Sequence, residues 1–190
     1  ENQDVYVLGQ TRGNYLTTSG VFNNPGGGQF IHKLNPDLSS TLFSTTFGTE
    51  NRNEPNLSLT AFLVSECDNM YVTGWGNSQP NFQGGSYVSL DTRGLPTTSD
   101  AIRTTTDGDD FYLMVLDTDA KELLYATFYG GSNALVHVDG GTSRFDKRGI
   151  VYHSVCASCD GSSSFPTTEG AWSNINASGS GCNNAAFKFD

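Results

Sequence analysis

One phrase, written three times, limits what this chain can fold into. It reads YLTTSGVF at residues 15–22, LPTTSDAI at 95–102 and FPTTEGAW at 165–172. Before each copy comes a short run: VYVLG (5–9), MYVTG (70–74) and, more loosely, IVYHS (150–154). After each comes a Gly- or Asn-rich bridge: NNPGGG (23–28), TTTDGDD (104–110) and SGSGCNN (178–184). A run closing on Asn or Asp then follows, as FIHKLN, YLMVLD and AAFKFD. Two copies continue into LFSTTFG (42–48) and LYATFYG (124–130), each Leu standing seven positions after Asn35 or Asp117. Equivalent positions lie 65 to 82 residues apart. A unit of this size that cannot bury both its faces alone must stack on its neighbours.

The runs are short, rich in aromatic and β-branched residues, and flanked by polar or Gly-rich stretches, which is the pattern of strands. LTAFLV (59–64) is another such run. No long segment carries a 3.6-residue apolar period with caps. Charged residues are only 16% of the chain, so Ser, Thr, Asn and Gly supply much of its polarity, and these disfavour helix interiors. Aromatics at 12% argue against disorder. The expected fold is all-β, a β-propeller-type repeat of four-stranded antiparallel blades.

Residues 1–56 then form a partial first blade, 57–131 a second blade and 132–190 a partial third. The segments NLSLTAFLVSECDN and HVDGGTSRFDKRG would supply the innermost strands, the latter over residues 142–145 with DKRG as its hairpin turn. About two and a half blades are present, whereas closed propellers have roughly 4–8. Both ends of the chain read as cuts through strand-like sequence, so neighbouring blades are expected from a longer chain, or the edges from another one. In the repeated phrase, Pro96 and Pro166 stiffen a loop and the Thr hydroxyls suit backbone groups. The Val, Ala, Ile or Trp side chains after them are expected to cap the space between blades.

Twenty acidic residues against ten basic give a net charge of −10, the wrong sign for a nucleic-acid partner or an anionic membrane surface. No apolar run approaches the roughly 20 residues of a membrane helix, so no membrane insertion is expected.

The four cysteines, Cys67, Cys156, Cys159 and Cys182, suggest an oxidising compartment. In the blade arrangement Cys156 and Cys159 follow the second strand and Cys182 precedes the third, at one end of a hairpin. A bridge from Cys182 to Cys156 or to Cys159 is expected, with Cys67, at the opposite end of its blade, free or paired outside these residues. The same three cysteines with His153 form the alternative of a zinc site.

Asp107, Asp109, Asp110, Asp117 and Asp119 are calcium candidates, because alternating Asp in a loop wraps that ion. Asp and Gly are also ordinary hairpin-turn residues, and the full calcium-loop pattern is missing. His137 and Asp139 share a strand face as a metal or acid–base pair, a spacing more often used for a structural hydrogen bond. Trp75 and Trp172 are candidates for stacking on sugar rings, or for inter-blade core. No nucleophile elbow, phosphate loop or zinc-protease motif occurs, so no catalytic residue and no cofactor is assigned.

The segments LPTTSDAIRTTTDGDDFYLMVLDTDAKELLYATFYGG, HVDGGTSRFDKRGIVYHSVCASCDGSSSFPTTEGAWS and GCNNAAFKFD resemble secreted repeat proteins of Bacteroidetes, the gliding-motility-associated kind with SBBP-type propeller repeats. The resemblance covers residues 57–190 well and 4–48 more loosely. It implies a much longer exported protein, extracellular or at the cell surface, handled by the type nine secretion machinery. The first reading is a non-catalytic scaffold or adhesive module within such a protein, with further blades of the same chain and protein or glycan surfaces as partners. A lectin-like binder of polysaccharide is the alternative, and a hydrolase or lyase acting at a propeller face is the third reading.

Overall fold

The computed structural model describes residues 3–78, 90–132, 136, 143–158, 161–179 and 181–190. All ten of its strands pair antiparallel, in three sheets, and no helix is present among the described residues. The first sheet holds β1 (Val5–Gln10), β2 (Gln29–Leu34) and β3 (Thr41–Phe47), in that order. The second holds β4 (Ser58–Val64), β5 (Met70–Trp75), β6 (Phe111–Leu116) and β7 (Leu123–Tyr129). The third holds β8 (Ser143–Phe145), β9 (Val151–Ala157) and β10 (Asn183–Phe189).

Alternation along the strands of the second sheet gives it two apolar faces. Met70, Val72, Tyr112, Met114, Leu116, Ala126 and Phe128 meet Ile31, Phe43 and Phe47 of the first sheet in one core. Phe111, with Trp75 and Tyr129 beside it, meets Val155, Ala157 and Phe187 of the third sheet in another. The middle sheet is thus packed on both sides, and every residue of β6 is buried. Each large side chain so buried contributes about 1.5–3 kcal/mol. Among the described residues the third sheet is covered on one face: β9 alternates buried with more open positions, and Tyr152 is exposed.

The same register recurs. Val5 faces Leu34, Met70 faces Leu116 and Val151 faces Phe189. Val151, not Ile150, therefore stands where Val5 and Met70 stand, one residue on from the alignment of IVYHS with VYVLG. Pairing with the following strand sets the register, and a one-residue slip would turn every side chain to the other face. Both β2–β3 and β6–β7 carry an irregularity at one equivalent place, between Lys33 and Leu34 and between Val115 and Leu116.

Strand β8 falls where a short strand was expected, and Asp146 to Gly149 make the turn, Gly149 N–H donating to the Asp146 carbonyl at 3.0 Å. Thr142 lies outside the described residues. The turn meets the second sheet: Glu66 N–H donates to the Lys147 carbonyl at 3.2 Å and Phe145 packs edge-on to Tyr71.

Candidate functional site

In the first two sheets the Thr-Thr phrase has a definite task. Thr18 N–H donates to the Ser44 carbonyl at 2.8 Å, and Thr18 Oγ1 accepts from Ser44 N–H at 2.7 Å. Thr98 N–H donates to the Ala126 carbonyl at 3.1 Å, and Thr98 Oγ1 accepts from Ala126 N–H at 3.1 Å. Ser44 and Ala126 are equivalent positions in the last strands of their sheets. Their backbone groups are the ones turned away from the sheet, because ladder bonds alternate along an antiparallel strand. The bonds continue farther along, Asn24 N–H donating to the Thr46 carbonyl at 3.0 Å and Phe128 N–H to the Arg103 carbonyl at 3.1 Å. The phrase therefore closes the outer edge of β3 and of β7, an edge that would otherwise offer unpaired groups.

Among the described residues the third copy closes no strand edge. Thr167 and Thr168 are exposed, whereas Thr17, Thr18, Thr97 and Thr98 are half-buried. Among the described residues neither the amide nor the hydroxyl of Thr168 has a hydrogen-bond partner. Trp172 is fully exposed and Ile102 largely so, so neither caps the space between sheets as the sequence suggested. The reason is the direction of the loop, which runs along an outer edge rather than between faces. Phe22 alone of the three equivalent residues packs against a core.

The third loop is nonetheless anchored. Tyr129 Oη donates to the Pro166 carbonyl at 3.1 Å, and Phe165 packs edge-on to the Tyr129 ring. Asn176 Nδ2 donates to the carbonyls of Ser158 and Gly181 at 3.0 and 3.2 Å. Between this loop and β10 lies an open groove of about 940 Å³, lined by Thr168, Trp172 and Asn174 on one side and by Asn184, Ala186 and Lys188 on the other. Aromatic, amide and hydroxyl groups share its walls.

The calcium candidates do not gather. Asp109 is buried and its Oδ1 accepts from the amide and hydroxyl of Ser78. Asp107 Oδ1 accepts from Asp109 N–H at 3.1 Å. Asp110 is fully buried and pairs with Arg103 at 3.3 Å, while its other oxygen has no partner. Burial pushes its carboxyl up to about 6, against the pull of Thr106 and Arg103. Asp117 Oδ1 accepts from the amides of Lys121 and Glu122 at 2.6 and 2.8 Å, and Asp119 pairs with Lys121. These are turn-closing contacts. Among the described residues no three His, Cys, Asp or Glu side chains stand together as a metal site.

Cys182, next to β10, is disulfide-bonded, whereas Cys67 and Cys156 are not in disulfides. Cys156 lies within β9, opposite Asn184, rather than after the strand as expected, and it is not one of the bridging residues. Cys159, His137 and Asp139 lie outside the described residues. His153 is buried, stacked 4.8 Å from the Phe187 ring, and burial lowers it to about 4. His32 is bound by Tyr15 and Thr41 at 3.0 and 2.8 Å. Trp75 packs in the second core, Trp172 stands in solvent.

Sequence reasoning saw that the Thr hydroxyls would serve backbone groups, yet missed which groups. The signal was present: Ser44 and Ala126 are the small residues before a Thr in LFSTTFG and LYATFYG. No model of a known family matches the chain, and no curated protein does. No helix among the described residues is long and apolar enough to cross a membrane.

Proposed function

We propose that the three sheets are successive blades of a β-propeller, with residues 1–56 and 132–190 as partial blades and 57–131 as a four-stranded one. The module serves as a non-catalytic scaffold or adhesive surface in a large exported cell-surface protein. The observation that carries the reading is the recurrence of one register and one Thr clasp in stacked antiparallel sheets. Contact between β4 and β8, the first strands of their sheets, suits inner strands around a common axis. The motif resemblance to SBBP-type secreted proteins supports export, gliding-motility association and handling by type nine secretion, and analogy of this kind supports function less than it supports fold.

Intact mass and terminal peptide mapping of the native material test the reading. A parent chain carrying several further copies of the unit supports it. A native chain of only these residues rules out a closed monomeric propeller.

The groove beside Trp172 favours a second reading, a lectin-like surface for polysaccharide, since an exposed indole flanked by amides and hydroxyls suits a sugar ring. A glycan array settles it: binding abolished by Trp172→Ala supports the lectin, and an array without hits removes it.

A further inference from the structure

We infer that the groove between β10 and the third Thr-Thr loop is an acceptor for one extended strand, which lies antiparallel to β10 and is clasped by Thr168. The inference rests on the repeat described above and does not depend on closure of a ring.

The molecule contains the filled form of this site twice. Strand β3 lies between β2 and the loop bearing Thr18, and β7 lies between β6 and the loop bearing Thr98. In the third sheet β10 takes the place of β2 and β6, because Phe189 faces Val151 as Leu116 faces Met70. Among the described residues the order of that sheet ends at β10, with no strand paired to its other edge. The loop bearing Thr168 has not collapsed onto that edge. Its foot is fixed by Tyr129 and Asn176, and the groove is left open between the loop and β10. Two edges with hydrogen-bonding capacity thus face one gap, and an extended backbone satisfies both.

The two filled sites specify the occupant. Ser44 faces His32 and Ala126 faces Met114, and the equivalent of these partners in β10 is Phe187. The residue clasped by Thr168 is therefore small and lies opposite Phe187. A Thr follows it, opposite Ala186, as Thr45 lies opposite Ile31 and Thr127 opposite Leu113. An aromatic residue comes two places later, at the position of Phe47 and Tyr129, and then a Gly. The partner is a segment of the type Leu-aromatic-small-Thr-x-aromatic-Gly. Main-chain bonds supply its affinity and the small residue and Thr its register, as in strand addition generally.

The test uses the 190-residue chain and a labelled synthetic peptide with the sequence of residues 122–131, ELLYATFYGG, followed by fluorescence anisotropy. The wild-type peptide is expected to bind saturably and a scrambled peptide not to. Thr168→Val, which keeps shape but loses the hydroxyl, is expected to weaken binding about fivefold, the worth of one lost hydrogen bond. The peptide carrying A126P lacks the N–H offered to Thr168 while the ladder to β10 is spared, and is expected to lose a similar factor against the unaltered protein. This second arm holds even where Thr168→Val fails to fold. Failure of the peptide to bind, equal binding of the scrambled peptide, or indifference to both substitutions overturns the inference. So does occupation of the groove by a polysaccharide that the peptide cannot displace. A short native chain in the mass experiment leaves this test unaffected, so the two readings fail separately.

Discussion

Thr98 and Ala126 hold each other by two hydrogen bonds of 3.1 Å, 28 residues apart in sequence, and Thr18 and Ser44 repeat the arrangement with bonds of 2.8 and 2.7 Å. In both of these phrases the second Thr is the one engaged. Its amide donates and its hydroxyl accepts, so a side chain completes what a neighbouring strand would otherwise provide. An edge strand so treated has fewer groups left for another chain.

Replacing Thr98 by Val is expected to cost about 1 kcal/mol, because Ala126 N–H loses its acceptor in a part-buried place. The adjacent Thr97→Val should stay within about 0.5 kcal/mol, since no hydrogen bond of its hydroxyl is present among the described residues. Urea unfolding midpoints of the two variants make the comparison. Equal losses would refute the assignment of the clasp to the second Thr.

His153 and Asp110 should pull the acid stability profile in opposite directions. The folded value of His153, about 4, lies below its ordinary 6.5, so the unfolded chain binds more protons between these values. Its contribution is present above 6.5 and is lost as pH falls towards 4, on the order of 3 kcal/mol in all. For Asp110 the folded value, about 6, lies above 3.8. Its contribution is full below 3.8 and is lost as pH rises through 6, again on the order of 3 kcal/mol. Between pH 4 and 6 the two largely cancel. Unfolding free energies at several pH values should show Asp110→Asn losing stability more steeply on acidification than the wild type, and His153→Gln losing less or gaining.

Gly149→Ala should destabilise the third sheet by more than 1 kcal/mol. Gly149 has φ of +89°, and a Cβ there would run into the Tyr71 ring of the second sheet. Thermal unfolding reads the effect. Tyr71→Ala in the same background should recover the part due to collision but not the part due to φ, a separation that a purely conformational cost would not give.

Tyr112→Phe should cost about 1 kcal/mol, since the phenol donates to the Pro96 carbonyl at 2.7 Å from a buried ring. Met114→Ala should cost about 2–5 kcal/mol by opening a cavity in the core shared with the first sheet. A denaturant series on both variants orders them; the reverse order would mean that the core between the first two sheets is looser than its burial indicates.

Strands at VYVLG, MYVTGW and FYLMVL were legible because short runs rich in aromatic and β-branched residues between polar or Gly-rich flanks declare themselves locally. The short strand before DKRG was legible from its turn chemistry. The register of β9 was not, since IVYHS and VYHSV fit a strand equally well and only pairing with β10 distinguishes them. The groove was not legible either. Its walls come from residues around 165–177 and 183–188, and nothing in the chain between them says that a strand's width separates the two.

The sequence by itself determined the repeat and the all-β character, because these depend on residue type and turn residues within a few positions. Tertiary structure alone showed that Thr18 and Thr98 close an edge while Thr168, among the described residues, clasps no strand. The three Thr residues are alike in their local chemistry. What differs, among the described residues, is whether a strand lies within hydrogen-bond reach, and the residues that Thr18 and Thr98 clasp stand 26 and 28 positions away in the chain.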